Sequence, residues 1–273
     1  MSYLEDRNPF FQLRKEECIT KDTGISTNKV AIINDETNDV LGLVSPGYEL
    51  VTNRMVNGLF QEAIGDLNIY ETHDHLDAVT RRWRRRFIFS DASTDVEVTK
   101  GDNVNVMLEV FNGYDARTAF GYQLMSYRWI CENGMVMGKQ SLFGESYAHY
   151  ENSPEKLRNS FTMKFGLYKE VAESWREWAQ IPFSTKTFET FVESRKYLGD
   201  RVKKTLVDSY EPILNKEKLE DNKWGAFNVL TYLSSHETKA RKGSAVFSAG
   251  YKNINRAAAD LYTFDEKLML EAA

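Results

Sequence analysis

Apolar and polar positions alternate in short runs through the first half of the chain and recur at helical spacing through the second. Asn28 to Ile33 (NKVAII) and Val40 to Val44 (VLGLV) flank the breaker Asp35–Asn38, which predicts a hairpin. Ser45-Pro46-Gly47-Tyr48 carries turn chemistry. Thr52 or Asn53 is placed to cap a helix over about Arg54 to Ile64, with Met55, Leu59, Phe60 and Ala63 inward and Gly65 at its end. Period-two segments then predict strands near Asn68–Thr72, Ala78–Ser90, Val104–Asn112 and Thr118–Ile130, with Gly121 at a bulge. Residues 1–27 read as irregular.

From Ser153 the period changes. Ser153-Pro154 is a helix start, and Leu157, Phe161, Phe165, Tyr168, Val171, Trp175 and Trp178 trace one face up to Pro182. Ser184 caps a second helix that ends near Gly199. Arg201–Leu214, Asn222–Ala240 and Asn253–Thr263 predict further helices. Their aromatic stripes, such as Trp224, Phe227, Leu230 and Leu233, read as core. The expected fold is α+β. A twisted, largely antiparallel sheet with a packed helix occupies residues 1–150, and a helical region, 151–273, packs on it or continues it.

Charge changes the picture at one place. The chain is acidic, with formal net charge −5, yet Thr80–Ser90 reads TRRWRRRFIFS. As a strand, this segment puts Arg82, Arg84, Arg86 and Ile88 on one face. Arg81, Trp83, Arg85, Phe87 and Phe89 take the other. Guanidinium groups beside aromatic rings suit single-stranded nucleic acid, where phosphates take cations and unstacked bases take flat π surfaces. Arg82, Arg84 and Arg86 are expected to hold phosphates, and Trp83, with Phe87 or Tyr122, to stack bases. The competing reading is an ion-paired strand, neutralised by Glu71, Asp74 and Asp77 upstream or Asp91, Asp95 and Glu97 downstream. A second basic region, with Arg241 and Lys242 among Lys239, Lys252 and Arg256, either extends the groove or is a solvated tail.

Composition excludes several classes. No run of 18 or more apolar residues occurs, so no membrane span is expected. MSYLEDRNPFFQL lacks an apolar signal core, and Cys18 and Cys131 lie far apart. The expected setting is reducing cytoplasm, that of the host if the protein is viral. Gly134-Met135-Val136-Met137-Gly138-Lys139-Gln140 is one residue short of a phosphate loop and has Gln where Ser or Thr belongs. His73, His75 and Asp77 alternate on one strand and lack a fourth ligand. Cys131 has no assignable histidine partner, and no G-x-S-x-G elbow occurs. No catalytic set emerges, and no cofactor is expected.

Three stretches carry a resemblance. Val40 to Asn53 (VLGLVSPGYELVTN) resembles the L-G-x-V-S-x-x-Y-x-x-V-x-N signature of a phage/plasmid-like family of uncharacterised proteins. Asn112-Gly113-Tyr114-Asp115 through Ala119-Phe120 resembles its central N-x-x-D-x-x-x-A turn, and Arg128 to Met135 its R-hydrophobic-hydrophobic-C-x-N-G segment. His149 falls where that family often has histidine. The fit covers residues 28–150, with Pro46-Gly47 in place of the usual polar pair. The resemblance implies a setting in viral or plasmid replication and no mechanism. The combined expectation is a non-enzymatic, homo-oligomeric single-stranded DNA-binding protein of phage or plasmid replication or recombination, akin to strand annealing. The alternatives are a metal-dependent nuclease built on His73 and His75, and a module that binds an acidic host or phage protein through the arginines.

Overall fold

The computed structural model describes residues 8–77, 82–128, 133–136, 144–150, 153–234 and 249–264. The fold is α+β, as the pattern predicts, and divides into two compact units that interleave along the chain. One comprises residues 1–87, 108–123 and 144–164; the other comprises 88–107, 124–143 and 165–273.

In the first unit, β1 (Leu13–Ile19), β2 (Ser26–Asn34) and β3 (Val40–Val44) form an antiparallel sheet in that order. The β2–β3 hairpin is the predicted one. Strand β1 falls where irregular chain is expected, because its sequence, LRKEECI, is polar and its side chains stay largely solvated. Ile32, Val44 and Tyr114 form the small core beneath this sheet, with Phe11, Leu13 and Leu50 packed on it.

Helix α1 (Asn53–Ile64) begins where Thr52 accepts the Met55 N–H on its side chain, and it ends at Gly65, whose φ of 60° suits glycine. Its buried residues include Val56, Asn57, Phe60 and Ile64, while Met55 is exposed. The inward stripe is thus rotated from the predicted one. The rotation turns Asn57 inward, where its side-chain oxygen accepts from Arg85. Phe60 packs edge-on against Tyr122 and Phe161, and those two rings meet at 5.4 Å.

A seven-stranded sheet contains β4 (Ile69–Leu76), β5 (Trp83–Phe89), β6 (Val96–Thr99), β7 (Asp102–Asn112), β8 (Phe120–Arg128), β9 (Asn133–Val136) and β10 (Gly144–Tyr147). Its main path runs β10-β8-β7-β5-β4; β6 pairs with β7, and β9 with β8. Gly121 is at no bulge on its β10 side. It stands opposite Ser146 of β10 in regular register, where an added Cβ would lie 2.2 Å from the Glu145 carbonyl oxygen.

The predicted long helix is two. Helix α2 (Ser153–Phe165) and helix α3 (Tyr168–Trp178) are separated at Gly166-Leu167, a residue pair whose glycine the apolar spacing overrides on paper. In the second unit follow α4 (Thr185–Glu193), α5 (Asp200–Glu217), α6 (Lys223–Tyr232) and α7 (Ala249–Asp260). Ser184 caps α4 through the Thr187 N–H, and Asn222 caps α6 through the Gly225 N–H. Helix α6 is buried all round, and Trp224 and Phe227 pack with Trp175. The aromatic stripe is core, as read. Among the described residues no helix is long and apolar enough to cross a membrane.

Candidate functional site: the arginine strand and the motif cluster

The sheet sorts the arginine run onto two faces. Beneath β5, towards α1, Trp83 and Phe87 are sealed. The Trp83 indole N–H donates to Asp74 at 2.8 Å, and Phe10 meets its ring edge-on at 5.7 Å. Arg85 lies on this side too, donating to Asp74 and to Asn57, with its guanidinium 4.7 Å from the Phe10 ring centre. Tyr122 is equally buried, and its hydroxyl shares a 2.9 Å hydrogen bond with Ser160. The expectation that Trp83, Phe87 and Tyr122 stack on bases is therefore corrected. A ring that fills the core presents no π face to a ligand, and Arg85 is held among those rings.

Arg82, Arg84 and Arg86 take the other face. Arg82 grips Asp115 through Nε and Nη2 at 3.1 and 2.9 Å. Arg84 and Arg86 share Glu109 of β7: Arg84 pairs through Nη1 and Arg86 through Nε at 2.8 Å. These two carboxylates come from β7 and the turn after it, while Asp74, one of the flanking acids of the competing reading, pairs with Arg85, so the strand is ion-paired as that reading expects. The guanidinium side chains of Arg82, Arg84 and Arg86 remain 33%, 17% and 20% exposed, against 2% for Glu109 and 17% for Asp115. Burial alone would raise the Glu109 carboxyl, but the adjoining Arg84 and Arg86 charges outweigh it and bring it down to about 2. Asp115 is also held below the usual range. Its burial is outweighed by hydrogen bonds from the Arg117 and Thr118 backbone, the Thr118 side chain and Arg82. His75 of β4 stands beside this face; burial and then the Arg86 charge lower its pKa.

Sequence reasoning missed Glu109. Its one signal is an acid alone in the apolar run Val106-Met107-Leu108-Glu109-Val110-Phe111. A charge in a strand buried on both faces needs a partner, and β5 supplies two.

Asp115 joins the arginine strand to a second cluster. The Asn112 side-chain amide donates to the Val51 carbonyl at 2.9 Å and to the Asn53 side chain at 3.0 Å. Asn53 donates in turn to the Pro9 carbonyl, and its backbone N–H donates to the Tyr114 hydroxyl at 2.7 Å. Gly42 lies against the Tyr114 carbonyl, where an added Cβ would be 1.9 Å from the oxygen. Tyr48 stacks on His149 at 4.6 Å, and Phe120 meets the same imidazole edge-on at 5.2 Å. Burial lowers the His149 pKa to about 4, and the backbone of Glu49 and Thr118 offsets this only in part, so the ring is neutral at neutral pH. Gly42, Tyr48, Asn53, Asn112, Asp115 and His149, read from separate stretches of sequence, thus meet in one unit.

A family model for a domain of unknown function, DUF932, matches residues 40–259. The chain belongs to the DUF932 family. Searches of the curated proteins and of the solved structures returned no match. The DUF932 match takes in the whole motif cluster, β5 and most of the helical unit.

The DUF932 chain holds one more polar constellation, inside its second unit. Arg128, the first residue of the third motif, is buried and donates from Nε to Asp102 at 2.7 Å. Glu217 lies 3.9 Å from its Nη1, and the Trp224 indole N–H donates to Asp102 at 3.0 Å. These groups line a cavity of about 370 Å³ with Lys100, Lys218 and Asn222 at its wall. Its lining mixes both signs of charge and singles out no ligand. His73 pairs with Glu71 at 3.1 Å, and among the described residues no three His, Cys, Asp or Glu side chains gather as a metal site. Arg81, Arg241, Lys242 and Cys131 lie outside the described residues.

Proposed function

We propose that the Arg82, Arg84, Arg86 face of β5 binds the sugar-phosphate backbone of single-stranded DNA in the replication or recombination of a phage or plasmid. The observation that carries this reading is the geometry of the three guanidinium groups. Arg84 and Arg86 sit at alternate positions of β5 and Arg82 just before it, each oriented by a carboxylate that is more buried than it is. Orientation by these carboxylates fixes the guanidinium planes, and the residual exposure leaves them reachable from solvent. The phage or plasmid setting comes from the motif resemblance alone.

Binding through this face is backbone-driven. With Trp83, Phe87 and Tyr122 in the core, it tolerates any base and depends steeply on salt. Anisotropy titration of a labelled dT oligomer against salt is the test. Three phosphate contacts give a log–log slope of about −2, since each contributes about −0.7 on a single strand. Replacing Arg84 and Arg86 together with glutamine flattens the slope by about two contacts. A slope near zero in the wild type, or an unchanged slope in the double variant, removes the reading. Acidic protein is the rival occupant of the same face; a pull-down that survives nuclease, with no oligomer binding, favours it.

A further inference from the structure

The face that carries the arginines also carries a ring, and it is none of the three that the sequence singles out. Side chains two apart on a strand share a face. Glu109 of β7 meets Arg84 and Arg86, so Phe111, two positions on, stands on their side of the sheet. The Arg84 guanidinium bears this out, lying 5.5 Å from the centre of the Phe111 ring. That is inside the roughly 6 Å over which a cation is drawn to a π system. Asn112, the next residue, takes the opposite side, where its amide donates to the Val51 carbonyl and to the Asn53 side chain of α1.

The neighbouring strand makes room for this ring. A Cβ added to Gly121 of β8 would lie 2.8 Å from the ring tip, Cζ of Phe111, so the ring reaches across β8 where a side chain is missing. Gly121 stands opposite Ser146 of β10, which is exposed. The surroundings of Phe111 on this face are therefore a guanidinium, a carboxylate, a glycine and a hydroxyl. Phe60, Tyr122 and Phe161 pack with one another on the other face. Trp83, Phe87 and Tyr122 are sealed, whereas Phe111 is half-buried. Core packing puts a ring among those others; Phe111 stands apart from them, partly open to solvent and beside a cation.

We propose that Phe111 is the platform on which a nucleobase stacks while the adjoining phosphates lie on Arg84 and its neighbours. This assignment rests on the arginine-face reading and gives it a reason to prefer single strands. A base lies on a protein ring only once it has left the duplex stack, so the ring selects unpaired nucleic acid. Every base has a π face, so the contact is indifferent to sequence. The phosphate contacts weaken with salt, and the stack does not. The two contributions separate in a salt titration: the arginines set the slope, and the ring sets the level of the line.

The test compares a labelled dT oligomer with an abasic strand of the same length, by anisotropy over a range of salt. The wild type is expected to bind dT about tenfold more tightly than the abasic strand, on parallel salt lines. Phe111→Leu keeps an apolar side chain and removes the π system. With the wild-type circular dichroism spectrum, it is expected to bind dT about tenfold more weakly at every salt concentration and to treat the two strands alike. Phe111→Tyr restores the preference for dT. A second measurement needs no variant: an oligomer carrying iodinated deoxyuridine is irradiated on the wild-type protein, and Phe111 is the expected site of attachment. Folded F111L with the wild-type preference for dT overturns the proposal, as does a cross-link confined to other residues. A wild type that binds both strands equally, with the expected salt slope, sinks the stack and leaves the arginine face standing. A wild type that binds neither strand at low salt sinks the arginine-face reading, and the stack with it.

Discussion

Glu109 shows why the arginine strand exists as a folded object. Two guanidinium groups on adjacent same-face positions of β5 repel each other, and one buried carboxylate between them makes the arrangement favourable. Glu109→Gln keeps the shape and removes the charge. Arg84 and Arg86 then lose the carboxylate they share, and the expected loss is about 3–5 kcal/mol of unfolding free energy. The same residue sets an acid limit. Its folded pKa, about 2, lies below the ordinary value of 4.5. Its contribution is therefore complete above pH 4.5 and is lost as pH falls from 4.5 towards 2. Denaturant melts of the wild type steepen downward through that window, and those of E109Q stay flatter; equal slopes refute the assignment. The arginines were legible in the sequence by their number. Asp74, the partner of Arg85, was among the acids named upstream, but Glu109 and Asp115 were not legible, because they lie over twenty positions downstream and only strand pairing brings them near.

At the scale of elements, most of what the apolar period predicts is present, and the misses have local causes. The α1 stripe is rotated by about one position because Asn57, a polar residue, is recruited inward by Arg85. The α2–α3 break follows glycine chemistry that the strong aromatic spacing conceals. Strand β1 escapes notice because its faces are both polar. Gly121 is the most telling case. A glycine in a strand signals either a bulge or a close approach, and the sequence does not choose between them. Here β10 runs so near that an added methyl meets the Glu145 carbonyl at 2.2 Å and Phe111 at 2.8 Å. The obstructing atoms are backbone and a packed ring, so the strand itself has to move. Gly121→Ala is expected to cost about 1–3 kcal/mol, read by chemical denaturation. A change within about 0.5 kcal/mol, the usual span of neutral surface substitutions, means that β10 shifts freely.

For the whole molecule, the period change near residue 150 invites a cut that the fold resists. Read along the sequence, strands stop and helices start there, and a strand-rich fragment 1–150 looks complete. The compact unit that contains the motif cluster, however, also contains residues 151–164 and lacks 88–107 and 124–143. Phe161 of α2 packs against Phe60 and Tyr122, and Ser160 bonds the Tyr122 hydroxyl. Removing α2 exposes those rings and takes away the partner of a buried hydroxyl. Strands β5, β7 and β8 each begin in one unit and end in the other, so no single cut frees a unit intact. A chain ending at Tyr150 is expected to show no cooperative thermal transition and to bind a dye for exposed apolar surface, whereas the full chain is expected to melt cooperatively. A cooperative melt of the 1–150 fragment, with dispersed amide resonances, contradicts this. It means that the motif cluster and the arginine strand are held by the first 150 residues alone, and that α2 is an accessory to their core and not part of it.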